Sequence, residues 1–188
     1  MVSRRCLLAL ASVVLAAMLG GCTDPPPQED PFASAEGRAC QAVEYDAVAN
    51  ALGVRFDTAA AAKVDETYSC ALGIDHQDFP DLVVTLSPTA ADPVIYRATS
   101  IPSGFTALKQ LGREAYRLDL PRGTYSGRDA SPSGPAVQLG WLSAAPQMMT
   151  LRYTFPADAT DADVAALTPR LVAFAKAIED EIVNHPLG

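Results

Sequence analysis

Histidine is scarce in this 188-residue chain, with only His76 and His185 present. Nucleophilic catalysis by serine or cysteine needs a positioned base, most often histidine. His185 stands beside Pro186, where an exposed side chain is expected. There is no Gly-x-Ser-x-Gly elbow, because Gly123-Thr124-Tyr125-Ser126-Gly127 carries its serine one place too late. A phosphate-cradling glycine loop is also missing, and Gly104, Gly123 and Gly127 read as isolated turn residues. After Arg4 and Arg5 no basic run occurs, and the formal net charge is −8. Such a chain lacks the Lys and Arg footprint that nucleic-acid backbones require. The same repulsion disfavours adhesion of the protein surface to anionic head groups. Neither an enzyme, a cofactor nor a nucleic-acid partner is expected, and no internal repeat is evident.

The amino terminus is the most informative stretch. Arg4 and Arg5 precede a run from Cys6 to Leu19 that is apolar apart from Ser12, followed by Gly20, Gly21 and Cys22. A permanent membrane helix needs about 20 apolar residues, whereas the apolar core of a secretory signal needs about 7–15. The ending Leu19-Gly20-Gly21-Cys22 resembles the lipobox of bacterial lipoproteins. In that family the cysteine is acylated and becomes the first residue of the mature protein. The resemblance implies a signal peptide over residues 1–21, palmitate-type lipid on Cys22, and residence on the extracytoplasmic face of the cell membrane. Loss of Arg4 and Arg5 with the signal would take the net charge from −8 to −10. Two or more acyl chains anchor stably where one binds only reversibly. Pro25-Pro26-Pro27-Gln28-Glu29-Asp30-Pro31 favours extended, solvated backbone. Residues 22–34 therefore read as a proline-rich tether and residues 35–188 as a single domain.

The four cysteines divide accordingly. Cys6 lies within the signal and Cys22 is the lipid acceptor, which leaves Cys40 and Cys70. A remaining pair in an exported protein reads as a disulfide. A zinc site is the competing reading, but no histidine pair lies nearby to complete it.

Apolar spacing places a helix over Ala42 to Leu52, stopped by Gly53. The Ala59–Ala62 run is helix-prone without a large apolar residue and is expected to form a turn or short surface helix. Five strands are expected: Thr67 to Ile74, Leu82 to Leu86, Tyr116 to Leu120, Val137 to Trp141, and Met149 to Phe155. Pro88 and Pro93 close the second of these, and Phe105 to Leu111 reads as a short helix or turn. Pro121 to Pro135, rich in Gly, Ser and Pro, is expected to be a mobile loop. Thr160-Asp161-Ala162-Asp163 resembles a capping box with aspartate in place of Glu or Gln. The helix that follows is expected to break at Pro169, with Thr168 capping a second segment. The fold class is α+β, a single antiparallel sheet of about five strands covered by N- and C-terminal helices.

The layout resembles a family of actinobacterial secreted lipoproteins of unknown function. The shared features are the lipobox, the tether, Arg38-Ala39-Cys40 opening a helix, Leu52-Gly53, Tyr68-Ser69-Cys70, and a long C-terminal helix containing Ala175-Lys176-Ala177-Ile178. Related lipoproteins look like the photosystem extrinsic-protein fold, which the resemblance implies here. The family offers no catalytic residues to carry over.

Two loops carry the remaining chemistry. Asp75, His76, Asp78 and Asp81 are the one cluster with metal-ligand character, although a solvated turn explains the same composition. Asp158, Asp161 and Asp163 lack EF-hand spacing and are read as helix-capping residues. No metal site is therefore assigned. The Pro121 to Pro135 loop, with Arg122, Tyr125 and Arg128, is the expected partner contact. Tyr116, Trp141, Tyr153 and Phe155 either fill the core or line a pocket. The leading expectation is a lipid-anchored, non-enzymatic binding module for an unknown protein or ligand of the cell envelope. The alternatives are a carrier of an apolar ligand and a metal-dependent enzyme.

Overall fold

The computed structural model describes residues 38–127 and 130–184. The signal segment, Cys22, the tether, Arg128 and His185 lie outside the described residues. Among the described residues four helices, α1 (Arg38–Gln41), α2 (Tyr45–Leu52), α3 (Pro93–Thr99) and α4 (Asp161–Asn184), accompany seven strands. The strands are β1 (Thr58–Val64), β2 (Thr67–Gly73), β3 (Asp81–Pro88), β4 (Thr106–Leu108), β5 (Glu114–Leu120), β6 (Ala136–Leu142) and β7 (Gln147–Thr154). They form one antiparallel sheet in the order β1-β2-β3-β7-β6-β5-β4.

The sheet thus has seven strands rather than about five, and both additions are its edges. Ala59–Ala62 lies inside β1 instead of forming a turn or surface helix. Alanine has little intrinsic strand preference, but pairing and packing override propensity. Ala59 and Ala61 pack against the core, and β1 pairs with β2 along its whole length. A two-residue loop joins them, with Asp65 at φ 53, as primed hairpin turns require at their first position. At the other edge, β4 replaces part of the helix or turn expected over Phe105 to Leu111.

One sheet face carries the main core. Leu82, Val84 and Leu86 of β3, Val137, Leu139 and Trp141 of β6, and Met149, Leu151 and Tyr153 of β7 point to this side. Leu171, Phe174, Ala175, Ile178 and Ile182 of α4 meet them there. The period-two and period-3.6 patterns read from the sequence are these two surfaces. The N-terminal helix is split: α1 ends at Gln41 and α2 starts at Tyr45, with Cys40, Val43 and Val48 buried beneath. Gly53, at φ 70, caps α2 in the left-handed conformation. Arg170 of α4 donates from Nε to the Ala51 carbonyl oxygen, clamping that helix end to α4.

Two connections fix this roof. Cys40 and Cys70 form a disulfide between α1 and β2. Closing a loop of that length contributes about 3–4 kcal/mol in the chain-entropy model. Glu179 of α4 is buried and accepts from Trp141 Nε1 at 2.8 Å and from the Ala144 N–H at 2.8 Å. Both its oxygens are therefore occupied by donors, and the Trp141 indole among them is fully buried.

α4 continues through Pro169 instead of restarting there. Pro169 and Ala165, whose carbonyl loses its usual donor, lie on the exposed side, where water replaces the missing bond. Thr168 Oγ1 donates to the Val164 carbonyl oxygen rather than capping a new segment. The Thr160–Asp163 capping box forms as expected: Thr160 N–H donates to Asp163 Oδ2, and Asp163 N–H donates to Thr160 Oγ1. The Thr160 hydroxyl, which also donates to Asp163 Oδ2, and then the Thr160 N–H hold the Asp163 carboxyl below its usual range.

The second face is covered only in part. α3 packs Tyr96 against Tyr116 and Leu142 in a small separate cluster. This helix went unread in the sequence although its signal is present. Asp92 is an N-cap whose carboxylate accepts from Val94 and Ile95 N–H groups, with Pro93 in the first turn. Outside α3, the small side chains of β1, β2 and β3 face outward.

Glu179→Ala leaves the indole and Ala144 N–H groups unpaired, and urea unfolding should show a loss of about 3 kcal/mol. Glu179→Gln keeps one acceptor but turns an amide N–H toward a donor, so its loss should fall between the wild type and the alanine variant. Equal stability of all three proteins would remove Glu179 as a fastening point.

Candidate functional site

The two loops singled out in the sequence meet at one end of the sheet. The turn between β2 and β3 carries Asp75, His76 and Asp78, Asp81 opens β3, and the loop between β5 and β6 carries Arg122 and Tyr125. Asp78 Oδ2 accepts from Ser131 Oγ at 2.8 Å, tying one loop to the other. A groove of about 420 Å³ lies between them, lined by Thr58, Gly73, Asp78, Asp81, Ser126 and Gly127 among others.

The loop expected to be mobile is laced down. Gly123 N–H donates to the Ser133 carbonyl, Ser133 N–H to that of Tyr125, and Gly127 N–H to that of Ser131. Ser126 and Pro132 form an isolated bridge. The Arg122 guanidinium is spent within the molecule, donating to the carbonyl oxygens of Ala157, at 2.7 Å, and Ala159. Tyr125 lies face-on beneath a second guanidinium, with Arg152 Cζ 4.1 Å from its ring centroid. Of the three residues expected to contact a partner, two therefore shape the loop through internal contacts, and Arg128 lies outside the described residues. Arg152 was not singled out in the sequence. Its signal was a charged residue on the solvent-side phase of an otherwise apolar strand.

The acidic cluster does not converge. His76 Nε2 approaches Asp75 at 3.1 Å on the exposed surface, Asp78 turns to Ser131, and Asp81 faces Arg152 at 3.4 Å. Among the described residues no group of three or more His, Cys, Asp or Glu side chains is arranged to hold a metal ion.

Beside the groove, three polar atoms are buried without a hydrogen-bond partner: Asp81 Oδ1, Arg152 Nε and Thr154 Oγ1. Asp81 and Thr154 are register partners across β3 and β7, and Arg152 precedes Thr154 by one pleat on the same face. Thr154 is fully buried. Buried polar atoms in folded proteins normally find a protein, water or ligand partner. This corner therefore holds unused hydrogen-bonding capacity for both donors and acceptors.

The aromatic strand residues belong to the interior. Trp141 has 0% exposure, so no void large enough for water borders it, and Tyr116, Tyr153 and Phe155 are buried as well. Burial, reinforced by the Asp81 charge, pushes the Tyr153 phenol up from 10.0 to about 12. Burial also raises Tyr96 and Tyr116, the latter opposed by a hydrogen bond from Gln138.

No protein-family model matches this chain, and no curated protein shows significant similarity to it.

Two glycines fix the loop's approach. A Cβ on Gly127 would sit 2.0 Å from Asp78 Oδ2, and one on Gly134 would sit 2.0 Å from the Pro156 carbonyl oxygen. Gly127→Ala can be absorbed by releasing the Asp78–Ser131 bond, at a cost of about 1 kcal/mol. Gly134→Ala meets backbone and should cost more, about 2–3 kcal/mol. Chemical denaturation that ranks Gly127→Ala as the worse variant would contradict this account of the loop.

The raised tyrosines also set an alkaline limit. Folded pKa values above the unfolded value near 10 leave stability intact below pH 10 and remove it as pH rises through about 12. Unfolding midpoints followed alongside tyrosinate absorbance should show this window, and Tyr153→Phe should lessen the decline. A decline already complete at pH 9 would rule tyrosine ionisation out as its cause.

Proposed function

We propose that this protein is an exported, lipid-anchored binding module that presents the groove between the β2–β3 and β5–β6 loops to a partner in the cell envelope. The observation that carries the reading is the Cys40–Cys70 bond. A cross-link of this kind persists in oxidising, extracytoplasmic compartments and is rare elsewhere. It agrees with the signal-like run that ends in Leu19-Gly20-Gly21-Cys22. The actinobacterial lipoprotein resemblance fits the same reading, and an antiparallel sheet roofed by helices is compatible with the photosystem extrinsic-protein architecture.

The groove is the favoured contact because strands β1 and β2 and the internally hydrogen-bonded β5–β6 loop line it, and Asp81 on its wall keeps one oxygen without a partner. In this reading Arg122 and Tyr125 hold the loop in position, and the exposed edge at Ser126 meets the partner.

Metabolic labelling with an alkyne fatty acid should mark the wild-type chain in the membrane fraction, and Cys22→Ser should abolish the label and release the protein. Partner capture from envelope extracts should fall about tenfold for Ser126→Trp, which fills the groove, with the melting temperature unchanged. An unlabelled wild type would refute the anchor. Undiminished capture by Ser126→Trp would refute the groove.

A further inference from the structure

The two edges of the sheet differ. β4 is three residues long, which blunts that edge, whereas β1 runs for seven residues. Among the described residues no strand pairs with the outer side of β1. An unpaired edge is a row of N–H and C=O groups ready to accept another strand, and proteins usually guard it with proline, a bulge or several charges. β1 has no proline, its register with β2 runs unbroken from Thr58↔Gly73 to Val64↔Thr67, and Lys63 is its one charged residue. Val64 at its end is 69% exposed. Four consecutive alanines leave nothing bulky to hold a neighbouring strand away.

Charge indicates which strand would fit. When an antiparallel strand pairs with its own copy, a twofold axis passes through one residue position, and side chains opposite each other share a face. An axis at Ala61 would set Asp57 opposite Asp65 of the partner subunit, a like-charge clash. An axis at Ala60 sets Asp57 opposite the partner's Lys63, and Lys63 opposite the partner's Asp57. Asp57 and Lys63 are both exposed, and Asp57 immediately precedes the strand. The self-complementary register is therefore the one centred on Ala60.

We propose that β1 pairs antiparallel with β1 of a second copy of this chain, centred on Ala60, to give a twofold dimer with one continuous sheet. Strand addition of this kind takes its affinity from main-chain hydrogen bonds and its register from side chains. The reciprocal Asp57–Lys63 pairs select the register.

Cysteine scanning of the full chain in its native membrane tests this directly. Residues opposite each other lie about 4.5–5.5 Å apart between Cα atoms, within disulfide reach. Ala60→Cys should therefore give a disulfide-linked dimer on non-reducing gels. Ala62→Cys would stand about 13 Å from its own copy and should give about tenfold less. Chemical cross-linking of cysteine-unmodified protein should show dimer lost in Lys63→Asp and restored in Asp57→Lys/Lys63→Asp. Equal cross-linking at positions 60 and 62, no cross-linking at 60, or failure of the double variant to restore dimer would each overturn the proposal. Loss of membrane labelling alone would count against the anchor and leave the dimer result intact.

Discussion

The Cys40–Cys70 bond is the constraint on which the arrangement of the helical roof depends. α1 is a single turn of four residues, far below the length at which a helix persists alone. Its place over β2 comes from the covalent link and from Ala39, Cys40 and Val43, all without solvent exposure. With α1 fixed, the chain reverses into α2, and α2 lies against α4, where Arg170 closes its C-terminal end. β1 lies beyond the disulfide-linked strand, toward the margin of this roof. The residue that secures one side of the sheet thus leaves the neighbouring edge open.

At the opposite side of the core the fastening is polar. Glu179 reaches from α4 into the sheet and satisfies the Trp141 indole and the Ala144 amide together. Burying a carboxylate costs free energy, but two charge-assisted hydrogen bonds offset it, and the direction of those bonds fixes the rotation of α4 in a way apolar packing alone does not. The core is therefore held by area and registered by a few directional contacts. The groove follows a different rule. Its Asp81–Arg152 pair, at 3.4 Å, leaves atoms of both residues unbonded, with Tyr125 stacked on the guanidinium. A surface under selection for stability alone would favour apolar replacements there.

The elements legible in the sequence are those whose own side chains form the core. Leu82–Leu86, Val137–Trp141 and Met149–Phe155 announce themselves by alternation, and α4 by its period, because those residues are the main buried surface, while the alternation of Tyr116 and Leu118 marks the smaller cluster on the opposite face. β1 was illegible because its stability is borrowed. Four alanines carry almost no strand preference, and only pairing with β2 makes them extended. α3 was legible in principle: the Asp92–Pro93 start is a helix signal, and it was read instead as the end of β3. Pro169 misled for the opposite reason, since the break it threatens is harmless on the solvent side. The site was half legible. Composition nominated both loops, but their convergence through Asp78 and Ser131 and the part played by Arg152 are products of topology.

Geometry links the proposed dimer to the proposed anchor. In an antiparallel pair, opposite residues share a face, so a twofold axis relating two β1 strands stands perpendicular to the sheet. Both helical roofs then lie on the same side, and so do both α1 helices, each of which touches β1, β2 and β3. With a lipid on Cys22 of each copy, joint attachment of the two anchors to one membrane would exceed either alone through effective concentration. Each copy would then turn its uncovered sheet face away from the bilayer. An axis lying in the sheet plane would have put the two roofs on opposite sides and set the anchors against each other, so the same alternation of side chains that builds the sheet is what lets a strand-paired dimer sit on a single membrane.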